Sequence, residues 1–277
     1  MEFERDSLLQ SPLFAPLHAV ISNLKGDQFP MLDELNALLH NRGIAVQGGA
    51  ELRFVEPQAG RLAFEEQYEP RCYLTGEVQT RRDNWHDLFN ALVWLTFPKA
   101  KAAINARHYR ALKDVVPEAK CGRGAVRDTN TLLDESGVIV AYADENLADL
   151  LRNFRWRELF WQHREKIGNS HFDKLRTGMN FYIFGHGLYE KARLPYVGMT
   201  GHGLLVRVEQ GFFSQAIEQQ LAHLDDRVAA YLADHCHGTR ELSPIPLLGV
   251  PGWAADNEYS SYYDNTAYFR SGRRKFE

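Results

Sequence analysis

Residues 84–108 read NWHDLFNALVWLTFPKAKAAINARH, a dense apolar run with a thin polar stripe through it. Its many aromatic and aliphatic side chains leave little room for an outward face, and a helix that is apolar almost all round is usually buried. Either Asp83 or Asn84 can cap its first turn. Pro98 removes a backbone donor and clashes with the preceding turn, so we expect a kink or a new helix there.

The polar stripe in this run consists of residue types that can bind a ligand or a metal: His86, Asp87, Asn90, Lys101, Asn105 and His108. At about 100° per residue, His86 and Asn90 lie within about 40° of each other on a helix. Asn and Asp are poor helix formers in interior positions, and buried polar groups need partners, so the stripe should form a network. That network is either structural or catalytic, and a solvated helix face is the plainer alternative.

A second motif, FGHGLYEK, occupies residues 184–191. His186 and Glu190 have the i, i+4 spacing that places two ligands on one helical face. Gly185 and Gly187 flank the histidine, and each costs a helix roughly 1 kcal/mol relative to alanine. This pattern indicates close approach of another backbone or a ligand. The alternative is an ordinary surface pair beside a helix-packing glycine.

We predict that the two motifs meet in space, because the aromatics around His86 and the glycines around His186 both indicate a crowded interior. Two histidine nitrogens on one zinc ion would lie within roughly 4 Å of each other. The candidate metal ligands are His86, Asp87, His186 and Glu190. The candidate catalytic residues are His86, Asp87, Asn90, Lys101 and Arg127.

A third segment, TLLDESGVIVAYA at residues 131–143, predicts a β-hairpin with Glu135, Ser136 and Gly137 in its turn. Asp134 would then close the first strand, where it is either a turn residue or a carboxylate that points into a cleft. The cations upstream, Arg127 among them, favour a small anionic ligand such as a phosphate or a carboxylate. HCHG at residues 235–238 resembles a metal-binding tract only superficially.

Composition narrows the class of protein. The 277 residues are 44% hydrophobic and 25% charged, as in an ordinary globular protein, and the net charge of -4 gives no global attraction for nucleic acid. No stretch approaches the roughly 20 apolar residues of a membrane helix, and the first residues lack a hydrophobic signal core. The three cysteines lie far apart, so we interpret them as free thiols in a reducing cytoplasm.

The predicted fold class is α+β, with helices packed on a small, mainly antiparallel sheet in a single integrated domain (residues 1–277). The basis is an irregular succession of strands and helices without βαβ alternation. Helices are predicted over residues 12–42, 180–194 and 214–235, and one or two helices over residues 144–167. Short strands and turns are predicted over residues 44–79, and a strand over residues 202–209. Residues 240–277, rich in Pro, Gly and aromatics, are predicted to form an ordered wrap over the body.

The chain resembles an uncharacterised bacterial family catalogued as Domain of Unknown Function 3025. The resemblance rests on residues 68–108, then RDTNTLLDESGVI (127–139), FGHGLYEKARLPYVGMTG (184–201), PLLGVPGW and YYDNTAYFR. It covers roughly residues 12–271 and implies a single integrated domain, but no established activity.

Two functions from different classes follow from these residues. The first is a metal-assisted hydrolase, because a divalent ion held by about three N or O ligands lowers the pKa of bound water toward 7. The second is a non-enzymatic ligand-binding or scaffold protein whose polar stripe is a structural hydrogen-bond network. An enzyme should show a concave cleft on which these groups converge.

Overall fold

Helices and short strands follow one another irregularly along the chain. The computed structural model describes residues 3–26, 28–40, 42–113, 123–168, 178–234 and 238–272, except for the side chains of residues 123–127, 234 and 240. Within these residues the helices are α1 (Arg5–Gln10), α2 (His18–Ile21), α3 (Leu32–Leu39), α4 (Tyr68–Thr75), α5 (Trp85–Thr96), α6 (Pro98–Lys113), α7 (Arg123–Ser136), α8 (Glu145–Arg152), α9 (His186–Ala192) and α10 (Ile217–Asp234). The strands are β1 (Arg53–Val55), β2 (Glu77–Gln79), β3 (Gly137–Tyr142), β4 (Met179–Ile183), β5 (Thr200–Arg207) and β6 (Ser243–Pro246).

The apolar run forms two consecutive helices, as the sequence predicts. The side chain of Asn84 accepts a hydrogen bond from the backbone N–H of Asp87 and so caps α5. A new helix, α6, begins at Pro98. Its first turn is capped from a distance, because Asp225 on α10 accepts the backbone N–H groups of Lys99 (3.0 Å) and Ala100 (2.8 Å).

The main sheet has four strands in the order β4-β3-β5-β6. β3 pairs antiparallel with β4 and parallel with β5, and β5 pairs antiparallel with β6. Every residue of β3 is buried, which places this strand inside the core between helices. β1 and β2 form a separate parallel pair. The α+β prediction with a small, mainly antiparallel sheet in one domain is confirmed.

The predicted hairpin at residues 131–143 is wrong. Helix α7 runs through Ser136, and β3 begins at the next residue, Gly137, without a loop. A side chain at Gly137 would lie 2.3 Å from the carbonyl oxygen of Leu133, so only glycine allows this direct change from helix to strand. The residues that suggested a turn, Glu135 and Ser136, are therefore the last residues of a helix.

Three other segments differ from the prediction. Tyr68–Thr75 forms a helix instead of strands and turns. Pro70 does not break this helix, because it lies in the first turn, where proline is tolerated. Residues 180–194 are not one helix: β4 ends at Ile183, and α9 begins only at His186. Residues 12–42 hold a 3-10 turn, α2 and α3 instead of continuous helix.

The remaining predicted elements agree with the structure. β5 and α10 lie where the sequence indicates. The helix predicted in one or two pieces over residues 144–167 is α8, which ends at Arg152 and is followed by a π-helical turn at Glu158–Gln162. Cys72 is a buried free thiol, whereas Cys121, Cys236 and the HCHG histidines lie outside the described residues. In the part of the chain that is described, no helix combines the length and apolarity needed to cross a bilayer.

The C-terminal segment packs against the body as far as residue 272. Its strand, β6, extends the main sheet, and Asn257 is fully buried and donates to the carbonyls of Leu248 (2.9 Å) and Val250 (2.7 Å). Tyr268 donates its hydroxyl to the carbonyl of Met199 (2.8 Å) in the loop before β5.

Candidate functional site

The first turns of α5 and α9 bring two histidines into direct contact. The Nε2 atoms of His86 and His186 lie 3.1 Å apart, and the two rings meet edge to face with centroids 4.5 Å apart. His186 is buried, with 6% of its side chain exposed, whereas His86 is 33% exposed. The prediction that the two motifs meet is therefore confirmed, and the pair can be reached from solvent on the His86 side.

A carboxylate from the last turn of α7 completes a group of three. Glu135 Oε1 lies 3.8 Å from His86 Nε2 and 3.6 Å from His186 Nε2. Among the described residues, these three side chains were the ones found close enough to hold a metal ion together. A point equidistant from three atoms separated by 3.1, 3.6 and 3.8 Å lies about 2.0 Å from each, which is the length of zinc bonds to nitrogen and oxygen.

The other nitrogen of His86 is held by Glu190 on α9. The Nδ1–H of His86 donates to Glu190 Oε2 over 3.0 Å, which leaves the lone pair of the ring on Nε2. A carboxylate in this position fixes the tautomer of a metal-binding histidine and raises its basicity. Glu190 thus contacts His86 at Nδ1, on the opposite edge of the ring from Nε2, and is not one of the three groups close enough to hold a metal ion.

The glycines around His186 are explained by the junction of α7 with β3. A side chain at Gly185 would lie 2.5 Å from the backbone nitrogens of Ser136 and Gly137. At Gly187 it would lie 2.4 Å from Glu135 Oε2. The predicted close approach of another backbone is therefore present, and it is what brings Glu135 to the two histidines.

His186 is held as a neutral ring. Burial lowers its pKa to about 4, an effect that the nearby charge of Asp134 opposes. Asp134 Oδ2 lies 3.8 Å from His186 Nδ1, which makes no well-formed hydrogen bond. Neutral imidazole is the form that binds metal ions.

Asp87 does not join this group. Arg81 donates Nε–H to Oδ2 (2.8 Å) and Nη2–H to Oδ1 (2.9 Å), and its backbone N–H donates to Oδ2 (2.7 Å). Burial raises the pKa of Asp87, but the hydrogen bonds and charge of Arg81 outweigh it and hold the pKa below its usual range. Both oxygens of the carboxylate are engaged with Arg81, so Glu135 takes the place predicted for Asp87.

Two further residues of the polar stripe, Lys101 and Asn105, line a neighbouring cleft. Lys101, 4% exposed, forms an ion pair with Asp134, and Asn90 donates to the hydroxyl of Tyr68 over 2.7 Å. The cleft has room for about one water molecule, and its walls are Tyr68, Glu69, Cys72, Trp94, Lys101, Ile104, Asn105 and Asp134. Burial raises the pKa of Glu69 to about 7 although Asn105 donates to it.

The free positive charge expected for an anionic ligand is not found in this cleft. Lys101 is neutralised by Asp134, which also lies beside His186. The side chain of Arg127 is not among those that the structure describes, so its predicted catalytic role stays a prediction.

The comparison with protein families agrees with the resemblance seen in the sequence. A model described as "Protein of unknown function (DUF3025)" matches residues 52–273. The chain belongs to this family. No curated protein and no solved structure matches the chain. The region shared with the DUF3025 family includes His86, Glu135, His186 and Glu190.

In this DUF3025 member, the residue that the sequence prediction missed is Glu135. It was placed in a hairpin turn, where its side chain would face solvent. Two adjacent carboxylates at positions 134 and 135, followed by Ser136, Gly137 and an apolar run, were the available signal. If residues 123–136 are treated as a helix, both carboxylates fall in its last turn and face different partners, Lys101 and the histidines.

Proposed function

We propose that the protein is a metal-dependent hydrolase whose divalent ion is bound by His86, His186 and Glu135. The observation that carries the proposal is the arrangement of the three ligand atoms, which share a centre about 2.0 Å from each of them, at the length of zinc bonds to N and O. Glu190 orients His86 through its Nδ1–H.

The ligand types favour a transition metal such as zinc. Imidazole nitrogens suit Zn, Cu, Fe and Ni, whereas Mg²⁺ and Ca²⁺ prefer oxygen ligands. Adjacent ligands of an octahedral ion with bonds of about 2.1 Å lie about 3 Å apart, and those of a tetrahedral zinc ion about 3.4 Å apart. The separations from Glu135, 3.6 and 3.8 Å, are closer to the tetrahedral value, and the 3.1 Å between the two histidine nitrogens is closer to the octahedral one, so the preference for zinc rests on the ligand types.

Three protein ligands leave one position for water, as in catalytic zinc sites. An ion held by these three side chains would lower the pKa of its bound water toward 7 and so would supply a nucleophile for hydrolysis at an electrophilic carbonyl carbon or phosphorus atom. His86 lies on the exposed side of the site, from which a substrate would approach.

A structural role for the polar residues is the second candidate, and Asp87 favours it. Its carboxylate is fully engaged with Arg81 beside the first turn of α5, and the ion pair of Lys101 with Asp134 is satisfied internally. In a scaffold protein His86 and His186 would simply share one proton across their 3.1 Å contact.

The deciding experiment is elemental analysis of protein purified without added metal, followed by titration of the apoprotein with Co²⁺ as a spectroscopic probe. We expect one bound ion per chain, lost in His86→Ala, His186→Ala and Glu135→Gln. The matched control is His223→Ala, which removes an exposed histidine on α10 and should bind metal as the wild type does. Absence of metal from the wild-type protein after this titration would contradict the proposal and leave the structural network.

Hydrolysis is tested separately with nitrophenyl esters and nitrophenyl phosphates. We expect turnover that a chelator abolishes and that Zn²⁺ or Co²⁺ restores, with loss of turnover in Glu135→Gln. A protein that binds one metal ion but cleaves neither class of probe, before or after metal is restored, would contradict the hydrolase and support a metal-binding protein.

A further inference from the structure

We propose that Lys101 and Asp134 position His186 for the metal ion: Asp134 accepts the Nδ1–H of His186 when Nε2 binds the ion, and Lys101 holds Asp134 in place. The inference rests on the proposed metal site and names two positioning residues for it. Neither of them needs to contact the substrate.

The Nδ1 atom of His186 needs a hydrogen-bond acceptor as soon as the ring binds a metal ion. A neutral imidazole that binds through Nε2 carries its proton on Nδ1. This Nδ1 is buried and makes no hydrogen bond, and only 6% of the side chain is exposed, so bulk water does not supply the acceptor. A buried N–H without a partner is destabilising, and its cost would count directly against metal binding.

Asp134 is the carboxylate placed to accept this hydrogen bond. Its Oδ2 lies 3.8 Å from His186 Nδ1, so the two atoms need to approach by about 1 Å or less to reach hydrogen-bond distance. Because Glu190 takes the Nδ1–H of His86, the proton in the contact between the two rings belongs to His186 Nε2. His186 Nδ1 and Asp134 Oδ2 are then both acceptors, which accounts for their separation.

A carboxylate thus lies beside the Nδ1 atom of each histidine. Glu190 on α9 accepts from His86, and Asp134 on α7 faces His186. Asp134 precedes the candidate ligand Glu135, and adjacent positions on a helix point about 100° apart, so one turn of α7 supplies a carboxylate to the ion and another to its histidine ligand. Carboxylates in such positions fix the tautomer of a metal-binding histidine and raise its basicity.

Lys101 on α6 holds the carboxylate of Asp134. Its Nζ donates to Asp134 Oδ1, and Oδ2 is the oxygen that faces His186. The Lys101 side chain is 4% exposed, and its Nζ lies 5.7 Å from the centre of the Trp94 ring. Burial raises the pKa of Asp134, but the charges of Lys101 and His186 and the hydrogen bond from Lys101 outweigh it and hold the pKa below its usual range. Asp134 is therefore a charged acceptor, and the buried Lys101 acts through it and not on the substrate.

The main-chain oxygen of Asp134 is the competing acceptor for the same N–H. Burial lowers the pKa of His186, and both the side-chain charge and the main-chain oxygen of Asp134 oppose this effect. Asp134→Asn separates the two acceptors, because it removes the charge of the side chain and leaves the main chain unchanged.

The test compares the Zn²⁺ affinity and the Nδ1–H proton resonance of His186 among variants of the full chain. For Asp134→Asn we expect the Zn²⁺ affinity, measured by competition with a chromophoric chelator, to fall 10–100-fold. In the Zn²⁺-loaded protein the His186 Nδ1–H resonance should move upfield, because the hydrogen bond to a charged carboxylate is lost. A merely structural role of Asp134 would leave this resonance in place. Lys101→Met should weaken Zn²⁺ binding by a smaller factor, since the carboxylate remains but loses its fixed position.

A double variant covers the case in which Asp134→Asn fails to fold, since that variant leaves the charge of Lys101 buried and unpaired. Lys101→Met combined with Asp134→Asn buries no charge, and it should show the same loss of affinity and the same shift of the resonance. The matched controls are Lys99→Met and Asp226→Asn, which remove an exposed ion pair that also joins α6 to another helix. Both controls should bind Zn²⁺ as the wild type does.

The outcomes distinguish this inference from the proposed function. Wild-type protein that takes up no Zn²⁺ would overturn both. If the wild type binds Zn²⁺, then unchanged affinity or an unchanged Nδ1–H resonance in Asp134→Asn would overturn the role of Asp134 and leave the metal site. Unchanged affinity in Lys101→Met would overturn the role of Lys101.

Discussion

The Nε2 atoms of His86 and His186 lie 3.1 Å apart, although one hundred positions separate the two residues in the sequence. Because Glu190 accepts the Nδ1–H of His86, the His86 Nε2 carries a lone pair, and the proton between the rings belongs to His186. A metal ion that takes both nitrogens requires this proton to move to Nδ1 of His186, which lies 3.8 Å from Asp134 Oδ2. We therefore expect His186 to change from the Nε2–H to the Nδ1–H tautomer when metal is added, which the ¹⁵N chemical shifts of its ring measure. Unchanged ring shifts of His186 in the metal-bound protein would contradict its role as a ligand.

Removal of Glu190 should weaken the metal site without abolishing it. Glu190 contacts His86 only at Nδ1, and loss of such an orienting carboxylate typically lowers metal affinity 10–100-fold. We expect this range for Glu190→Ala in a competition titration with a chromophoric chelator. Glu218→Ala, an exposed position on α10, is the control. Equal affinities of Glu190→Ala and wild type would show that the contact does not orient a metal ligand.

Gly187→Ala should disturb the site more than the fold. The new methyl group would lie 2.4 Å from Glu135 Oε2, the end of a flexible side chain that can turn aside. Since Glu135 is a candidate ligand, we expect metal affinity to fall at least tenfold while the protein loses only about 1–3 kcal/mol of stability. Gly211→Ala, where the methyl group meets nothing within 4 Å, is the matched control. Unchanged metal affinity in Gly187→Ala would argue against Glu135 as a ligand.

Asp225 should stabilise the protein far more than its neighbour Asp226. Asp225 accepts two backbone N–H groups at the start of α6, and loss of such a cap costs about 1–2 kcal/mol. Asp226 forms an exposed ion pair with Lys99, which is worth less than about 1 kcal/mol. Urea unfolding of Asp225→Ala and Asp226→Ala compares them directly. Equal losses in the two variants would refute the assignment of Asp225 as the cap.

Glu69 should make the protein less stable as the pH rises. Burial raises its pKa from 4.5 in the unfolded chain to about 7 in the folded protein, so the folded state favours the protonated acid. The stabilisation of the folded protein by protonated Glu69 is fully present below pH 4.5 and is lost as the pH rises through 7. The free energy of unfolding falls by roughly 3 kcal/mol at most over this interval. Glu69→Gln cannot ionise, so its stability relative to wild type should increase across this interval. Urea unfolding at both ends of the interval measures the change, with Glu65→Gln at an exposed position as control. A constant difference between Glu69→Gln and wild type would contradict the raised pKa.

Features of the fold that depend on local chemistry were predictable from the sequence. Asn84 and Pro98 mark the start of α5 and of α6 by capping and by a missing N–H, neither of which needs a distant partner. The direct change from α7 to β3 was not predictable in this way. It depends on the carbonyl of Leu133 against Gly137, a contact that exists only once α7 is formed.

The difference between local chemistry and contacts from distant parts of the chain also explains which site residues could be predicted from the sequence. The surroundings of His86 and His186 in the sequence indicate crowding, and the structure brings these two residues together. Asp87 was assigned to the metal because it follows His86, but Arg81, six positions earlier, binds it. Glu135 was missed because its partners come from elements far away in the chain. The catalytic roles of Asn90, Lys101 and Arg127 stay predictions.

The three central side chains come from α5, α7 and α9, well separated in sequence. During synthesis, His86 and Glu135 leave the ribosome before His186, and a domain generally folds as one unit. A nascent or truncated chain that ends before α9 therefore contains two of the three groups and cannot close the site. An intact cluster therefore reports that α5, α7 and α9 are all docked, so loss of metal binding in a shortened or damaged chain would reveal that one of these helices has left its place.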